Sequence, residues 1–195
     1  LSILSQVAAG DRNDDAPFVA ALRVCGKSRR PDVAMDIYTQ NPSEACRTMA
    51  ISVLGACQQH RKAVELLSDT DTTTASAASY NAAIAACGKS KDWKLSVEVY
   101  EKMMPKELIS PLTCNAVLTI LAQCRQGKEA LRVLSNMPCK PDRLSYQYVV
   151  NALVRSNLVD AAYKLITEMQ QDDAPIQPFE AMYDTIFAAY SKQKN

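Results

Sequence analysis

The chain has 195 residues, 48% hydrophobic, 22% charged and 6% aromatic, which excludes an intrinsically disordered or low-complexity protein. Charges interrupt every apolar run well short of the roughly 18 to 20 residues that cross a bilayer, so no membrane span is expected. With 22 Lys plus Arg against 21 Asp plus Glu, no overall field draws the chain to a polyanion, and any such contact must come from local clustering.

Seven cysteines, at 25, 46, 57, 87, 114, 124 and 139, come with no Cys-x-x-Cys and a single histidine, His60. That pattern fits neither a zinc site nor a secreted disulfide framework. It reads as buried thiols acting as small hydrophobes in a reducing compartment, with no metal and no small-molecule cofactor.

The chain repeats itself. At an offset of 62, Cys25-Gly26-Lys27-Ser28 falls on Cys87-Gly88-Lys89-Ser90, and Asp36-Ile37-Tyr38 on Glu98-Val99-Tyr100. At an offset of 67, Ile51, Val53, Leu54 and Cys57 fall on Leu118, Ile120, Leu121 and Cys124. Taking Val19, Thr48, Asn81, Asn115, Gln147 and Asp184 as equivalent reference positions gives steps of 29, 33, 34, 32 and 37, a mean of 33. Periods of this size mean stacked supersecondary units.

In chain order, residues 1–14 read as the tail of a preceding repeat. Five repeats follow at 15–43, 44–76, 77–110, 111–142 and 143–179, and 180–195 reads as part of another, so the array is expected to continue past this piece. Each repeat is predicted to be a helical hairpin. In the first, Pro31 fits the opening turn of a second helix. In the third, the stretch from Asn81 to Cys87 lies in an Ala-rich first helix and a basic, Gly-containing turn follows. Leu95, Val97, Val99, Tyr100 and Met103 then give an amphipathic second helix. Pro105, Pro138, Pro141, Pro175 and Pro178 fall between repeats, where helices must stop. A small residue recurs fifteen positions after each reference residue, as Ala34, Ala63, Ser96, Ala130 and Ala162, as close approach of two antiparallel helices requires. The expected fold is all-α, an α-solenoid of about five helix-turn-helix repeats with partial units at both ends.

Ser79-Tyr80-Asn81-Ala82-Ala83-Ile84, Lys140-Pro141-Asp142-Arg143-Leu144-Ser145-Tyr146 and the run from Ala161 to Met169 resemble the pentatricopeptide repeat family. The resemblance implies a right-handed solenoid of a mitochondrion or chloroplast that binds single-stranded RNA, about one base per repeat, in a groove lined by first helices. It also implies that two residues per repeat read a base. Carried over, the pairs are Val19 with Ser43, Thr48 with Ser76, Asn81 with Ser110, Asn115 with Asp142, and Gln147 with Phe179. Asn115 with Asp142 implies uracil, Asn81 with Ser110 a loose pyrimidine reader, and Thr48 with Ser76 a loose purine reader. Lys27, Lys89 and Arg155 stand where the family places a basic residue facing phosphate.

The turns inside the hairpins carry Lys27, Arg29, Arg30, Arg61, Lys62, Lys89, Lys91, Arg125, Lys128 and Arg155, so the near-neutral chain is striped. These cations also complement first-helix C-termini, and Asn81 and Asn115 are alternatively read as helix caps. Tyr80, Tyr146 and Tyr183 read as packing between hairpins, and Met103, Met137 and Met169 as core filler. Gly-Lys-Ser at 26–28 and 88–90 lacks the upstream glycine of a phosphate loop. His60, in a basic turn with no evident orienting carboxylate, gives no Cys–His catalysis, so a non-enzyme is expected. The rival reading is a protein-binding scaffold subunit of a large organellar complex, such as a ribosome or an energy-converting assembly.

Overall fold

Apolar residues stand three and six positions after each of the first five reference positions, which puts them on one face of a 3.6-residue helix. They are Leu22 and Cys25, Ile51 and Leu54, Ile84 and Cys87, Leu118 and Leu121, Val150 and Leu153, and all ten are buried. The computed structural model describes residues 15–68, 75–170 and 176–193. The expected tail at 1–14 and Pro175 lie outside the described residues.

Among the described residues the regular structure is helical, with no strand. The helices are α1 (Ala16–Ser28), α2 (Pro31–Gln40), α3 (Glu44–Ala56), α4 (His60–Ser68), α5 (Ala77–Ser90), α6 (Trp93–Met103), α7 (Pro111–Gln123), α8 (Gly127–Ser135), α9 (Arg143–Arg155), α10 (Val159–Met169) and α11 (Glu180–Gln193). A 3-10 turn, Met104–Lys106, carries Pro105 after α6. No described helix is long and apolar enough to cross a membrane.

The chain divides into two compact units, Leu1–Leu108 and Ile109–Asn195. In the first, α1 packs on α3 and α3 on α5, while α2 and α4 each pack against their own first helix and the next one. In the second, α7, α9 and α11 stack in the same way, with α8 and α10 behind them. This is the α-solenoid class: hairpins that bury their apolar faces only by stacking on neighbours.

The hairpin turn is identical in all five hairpins. The residue ten positions after the reference is left-handed each time: Arg29, Gln58, Lys91, Arg125 and Asn157, with φ between 51° and 62°. The next residue's N–H then donates to the carbonyl five residues back. These bonds run Arg30 to Cys25, Gln59 to Leu54, Asp92 to Cys87, Gln126 to Leu121 and Leu158 to Leu153, at 2.9–3.0 Å. That bond is the 6→1 closure of a Schellman motif, satisfying carbonyls that the first helix leaves unpaired. None of the five left-handed residues is glycine, at a penalty of roughly 1–2 kcal/mol for a residue carrying Cβ. Closure at this point brings the second helix back against the first, and Ala34, Ala63, Ser96, Ala130 and Ala162 sit at the contact with no exposed surface.

Four of the seven thiols, Cys25, Cys46, Cys87 and Cys114, are buried as the composition implied, whereas Cys57, Cys124 and Cys139 lie in turns or connections outside the helices and are only partly covered. Burial, followed by the charge of Asp92, pushes the Cys87 thiol up to about 12. Tyr80 is buried, as are Met103 and Met169.

Two first helices approach closely at Gly55, where a Cβ would lie 2.6 Å from the Ala86 Cβ and 3.0 Å from its Cα. A backbone atom cannot rotate away, so α3 and α5 must separate. The strain of about 1–3 kcal/mol exceeds the helix-propensity gain of up to about 1 kcal/mol. Gly55→Ala is therefore expected to destabilise the protein by about 1–2 kcal/mol, read from urea unfolding.

Candidate functional site

The start of each first helix needs acceptors for its unpaired amides. Ser43, Ser76, Ser110 and Asp142 supply them as N-caps of α3, α5, α7 and α9, accepting from the backbone N–H of Cys46, Ser79, Thr113 and Ser145. Asn81 and Asn115 are not the caps that the sequence allowed for: each is the fifth residue of its helix, past the turn in which amides lack partners. Stacking one first helix on another sets the cap of the later helix beside the reference residue of the earlier one. A cap can then serve two helices.

In the second unit this contact is complete. The Asn115 Nδ2 donates to the Asp142 carboxylate at 3.1 and 3.3 Å. Ser145 Oγ lies 2.8 Å from Asn115 Oδ1 and 2.8 Å from Asp142 Oδ1. Asp142 and Ser145 also close a capping box across the first turn of α9. Burial pushes the Asp142 carboxyl up, but hydrogen bonds from Ser145 and Asn115 outweigh it and hold the group below its ordinary value. Leu112 and Leu144, three positions before Asn115 and Gln147 and so one helical turn from them, are large apolar side chains left 74% and 54% exposed.

In the first unit a different carboxylate takes the central place. Thr48 Oγ1 donates to the Glu44 carbonyl at 3.0 Å and lies 2.8 Å from Ser79 Oγ, so it meets the N3 hydroxyl of α5, while Ser76 remains the cap. Glu44 Oε1 accepts from the Ser76 N–H at 2.9 Å and from Ser79 Oγ at 2.8 Å. Its Oε2 pairs with Arg47 at 2.7 Å, and Arg47, itself buried, reaches the Tyr38 hydroxyl. Burial raises the Glu44 carboxyl; the bonds from Ser76 and Ser79 and the Arg47 charge together carry it below the usual range.

Sequence reasoning missed Glu44, Ser79 and Ser145. A hydroxyl recurring two positions before the reference, as Ser79, Thr113 and Ser145, was the available signal, and all three are fully buried. Gln147 instead donates along its own helix to Asn151 at 3.2 Å. Phe179 lies under the Arg143 guanidinium, 3.9 Å from its ring centroid.

All ten basic residues of the hairpin turns are exposed, Lys27, Lys89 and Arg155 among them. Both Gly-Lys-Ser stretches end helices, α1 and α5, so their amides belong to helical bonding. The reading of His60 needs correction: a carboxylate does face it, Asp92 Oδ2 at 3.2 Å from Nε2, because stacking brings together residues 32 apart. Asp92 also caps α6 by accepting from Leu95, so the pair clasps successive hairpins.

A family model described as PPR repeat matches residues 78–104, 112–140 and 144–173. Among solved structures, the pentatricopeptide repeat protein PPR10 from maize is similar at 18% identity and a TM-score of 0.58, over 97% of this chain and 33% of that one. PPR10 in complex with an 18-nt psaJ RNA element is similar at 19% identity and a TM-score of 0.74, over 96% of this chain and 30% of that one. A triple cysteine-to-serine variant of that complex gives the same values. The chain thus spans about a third of the length of the structures it resembles. No curated protein matches it.

The lowered Glu44 carboxyl makes a sign-definite acid response. Its contribution is full above the unfolded value of about 4.3 and is lost as pH falls through the lower folded value. Glu44→Gln is expected to lower the thermal midpoint at neutral pH and to flatten its decline between about pH 5 and pH 3, because Asp142 titrates alike in both proteins.

Proposed function

We propose that this chain, which carries pentatricopeptide repeats, binds single-stranded RNA along its first helices without catalysing a reaction, in a mitochondrion or chloroplast. Its repeats divide at 15–43, 44–76, 77–110, 111–142 and 143–179. Asn115 with Asp142 takes uracil, Thr48 with Ser76 a purine more loosely, and Lys27, Lys89 and Arg155 engage phosphate. The PPR10 structures that hold an 18-nt psaJ RNA element have this fold, which supports the reading.

The Asn115 amide carries it. Ser145 takes one lone pair of Oδ1, and the Asp142 carboxylate takes one N–H. An Asn side chain has two N–H donors and two lone pairs, so one donor and one acceptor remain beyond these partners. Uracil offers the complement, a carbonyl beside N3–H, and the exposed Leu112 and Leu144 suit the two faces of a splayed base. The amide is fixed before any ligand arrives, which spares the ordering penalty of a rotamer-rich side chain, about 0.5–1.5 kcal/mol.

Glu44 bears on the second position. Its carboxylate already receives the Ser76 N–H and the Ser79 hydroxyl, so the Thr48 site is narrower in its bonding than the Asn115 site. That closure and the net charge of +1 favour the rival, a scaffold that docks subunits of an organellar complex.

Titrating salt against short oligonucleotides separates the two readings. Asn115→Ala is expected to weaken binding to a uracil-containing strand by about 1–3 kcal/mol and to leave a uracil-free strand nearly unaffected. Lys89→Glu is expected to weaken all sequences alike and to flatten the log–log salt slope by about 0.7 per lost phosphate contact. Unchanged affinity in both variants, with retention in a protein complex at high salt, decides for the scaffold.

A further inference from the structure

Two thiols in the second unit stand apart from the other cysteines. Cys114 Sγ and Cys139 Sγ are 3.5 Å apart, although 25 residues separate them. Cys114 lies in the first turn of α7 with no exposed surface, and Cys139 lies in the connection between α8 and α9, partly open to solvent. We propose that this pair is an oxidation site for peroxide-class oxidants, closing reversibly to a disulfide that ties the α8–α9 connection to α7.

The asymmetry of exposure sets the order of events. Hydrogen peroxide reaches Cys139, whose thiolate attacks one peroxide oxygen; the O–O bond breaks, the departing hydroxide takes up the proton the thiol gave up and leaves as water, and Cys139 becomes a sulfenic acid. The Cys114 thiolate then attacks the Cys139 sulfur, the S–S bond forms, the S–O bond breaks, and the hydroxyl leaves as a second water. Two thiols are oxidised and one peroxide is reduced to two waters, so the balance closes. Burial keeps Cys114 from the oxidant itself while leaving it against the Cys139 sulfur. A thiol reductant reverses the reaction by exchange at the more accessible Cys139 sulfur.

The bond would join the strand of chain leading into Asp142 to the helix that carries Asn115. The proposal concerns the thiols alone and stands whether or not the first helices hold RNA. Its readout is covalent. The whole chain, reduced and freed of reductant, is treated with hydrogen peroxide, alkylated and digested with trypsin. The expected product is peptide 107–125 linked to peptide 133–143, absent after dithiothreitol. Because Cys124 shares the first peptide, Cys124→Ser is expected to keep the link, and Cys114→Ser and Cys139→Ser to lose it. The oxidised wild-type chain is expected to melt about 5 °C or more above the reduced one. Accumulation of Cys139 as sulfinic acid with Cys114 still alkylatable, or a link that survives Cys114→Ser, overturns the proposal. Cys139→Ser changes a partly exposed position and keeps the test valid if Cys114→Ser fails to fold.

Discussion

The constraint on which the rest depends is the demand of each first-helix N-terminus for hydrogen-bond acceptors. A capping side chain must sit at a fixed place relative to its own helix, and the stack fixes that helix against its predecessor. The cap is therefore delivered to the same spot beside the preceding reference residue. Asp142 against Asn115 follows from this rule, and so does the approach of Ser79 to Thr48. Local helix chemistry and the geometry of the candidate site are thus one arrangement. The burial of the N3 hydroxyls, each of which bonds toward the preceding helix or its own cap, extends the same rule.

Much of this was legible beforehand because it is periodic. The reference positions, spaced by 29, 33, 34 and 32, found the hairpins, since the left-handed turn residues from Arg29 to Asn157 follow with the same spacing. The small residues at Ala34 and its equivalents were readable for a simple reason: helix contact excludes bulk at that position in each of the five hairpins. Glu44 was not legible. It is an exposed-looking acid at the first position of a helix, where the dipole alone explains it, and only stacking reveals that its carboxylate spans to Ser76 and Ser79. His60 escaped for the same reason, because its carboxylate is supplied by the next hairpin and no local spacing announces it.

Electrostatics divides between two roles. Acidic groups near the first-helix starts are held by amides and hydroxyls, and Glu44 also by Arg47, so they act as acceptors of fixed geometry. The basic groups of the hairpin turns are exposed. They contribute a diffuse field that ionic strength screens over about 10 Å. In a chain with almost no net charge, each unit in this way presents structured polar groups at the starts of its first helices and exposed cations at their ends.

The left-handed turn residues imply that this array operates below the firmness its architecture allows. Four of the five, Arg29, Gln58, Lys91 and Arg125, carry side chains that strain the backbone where glycine would relax it. Even after subtracting the roughly 0.5–1 kcal/mol that glycine forfeits through a freer unfolded chain, the unclaimed reserve is on the order of 3 kcal/mol. For a molecule whose whole margin against unfolding is typically about 5–15 kcal/mol, that is a sizeable fraction. It is distributed along the chain, so each joint between paired helices lowers, by its own share, the cost of loosening the hairpin it closes.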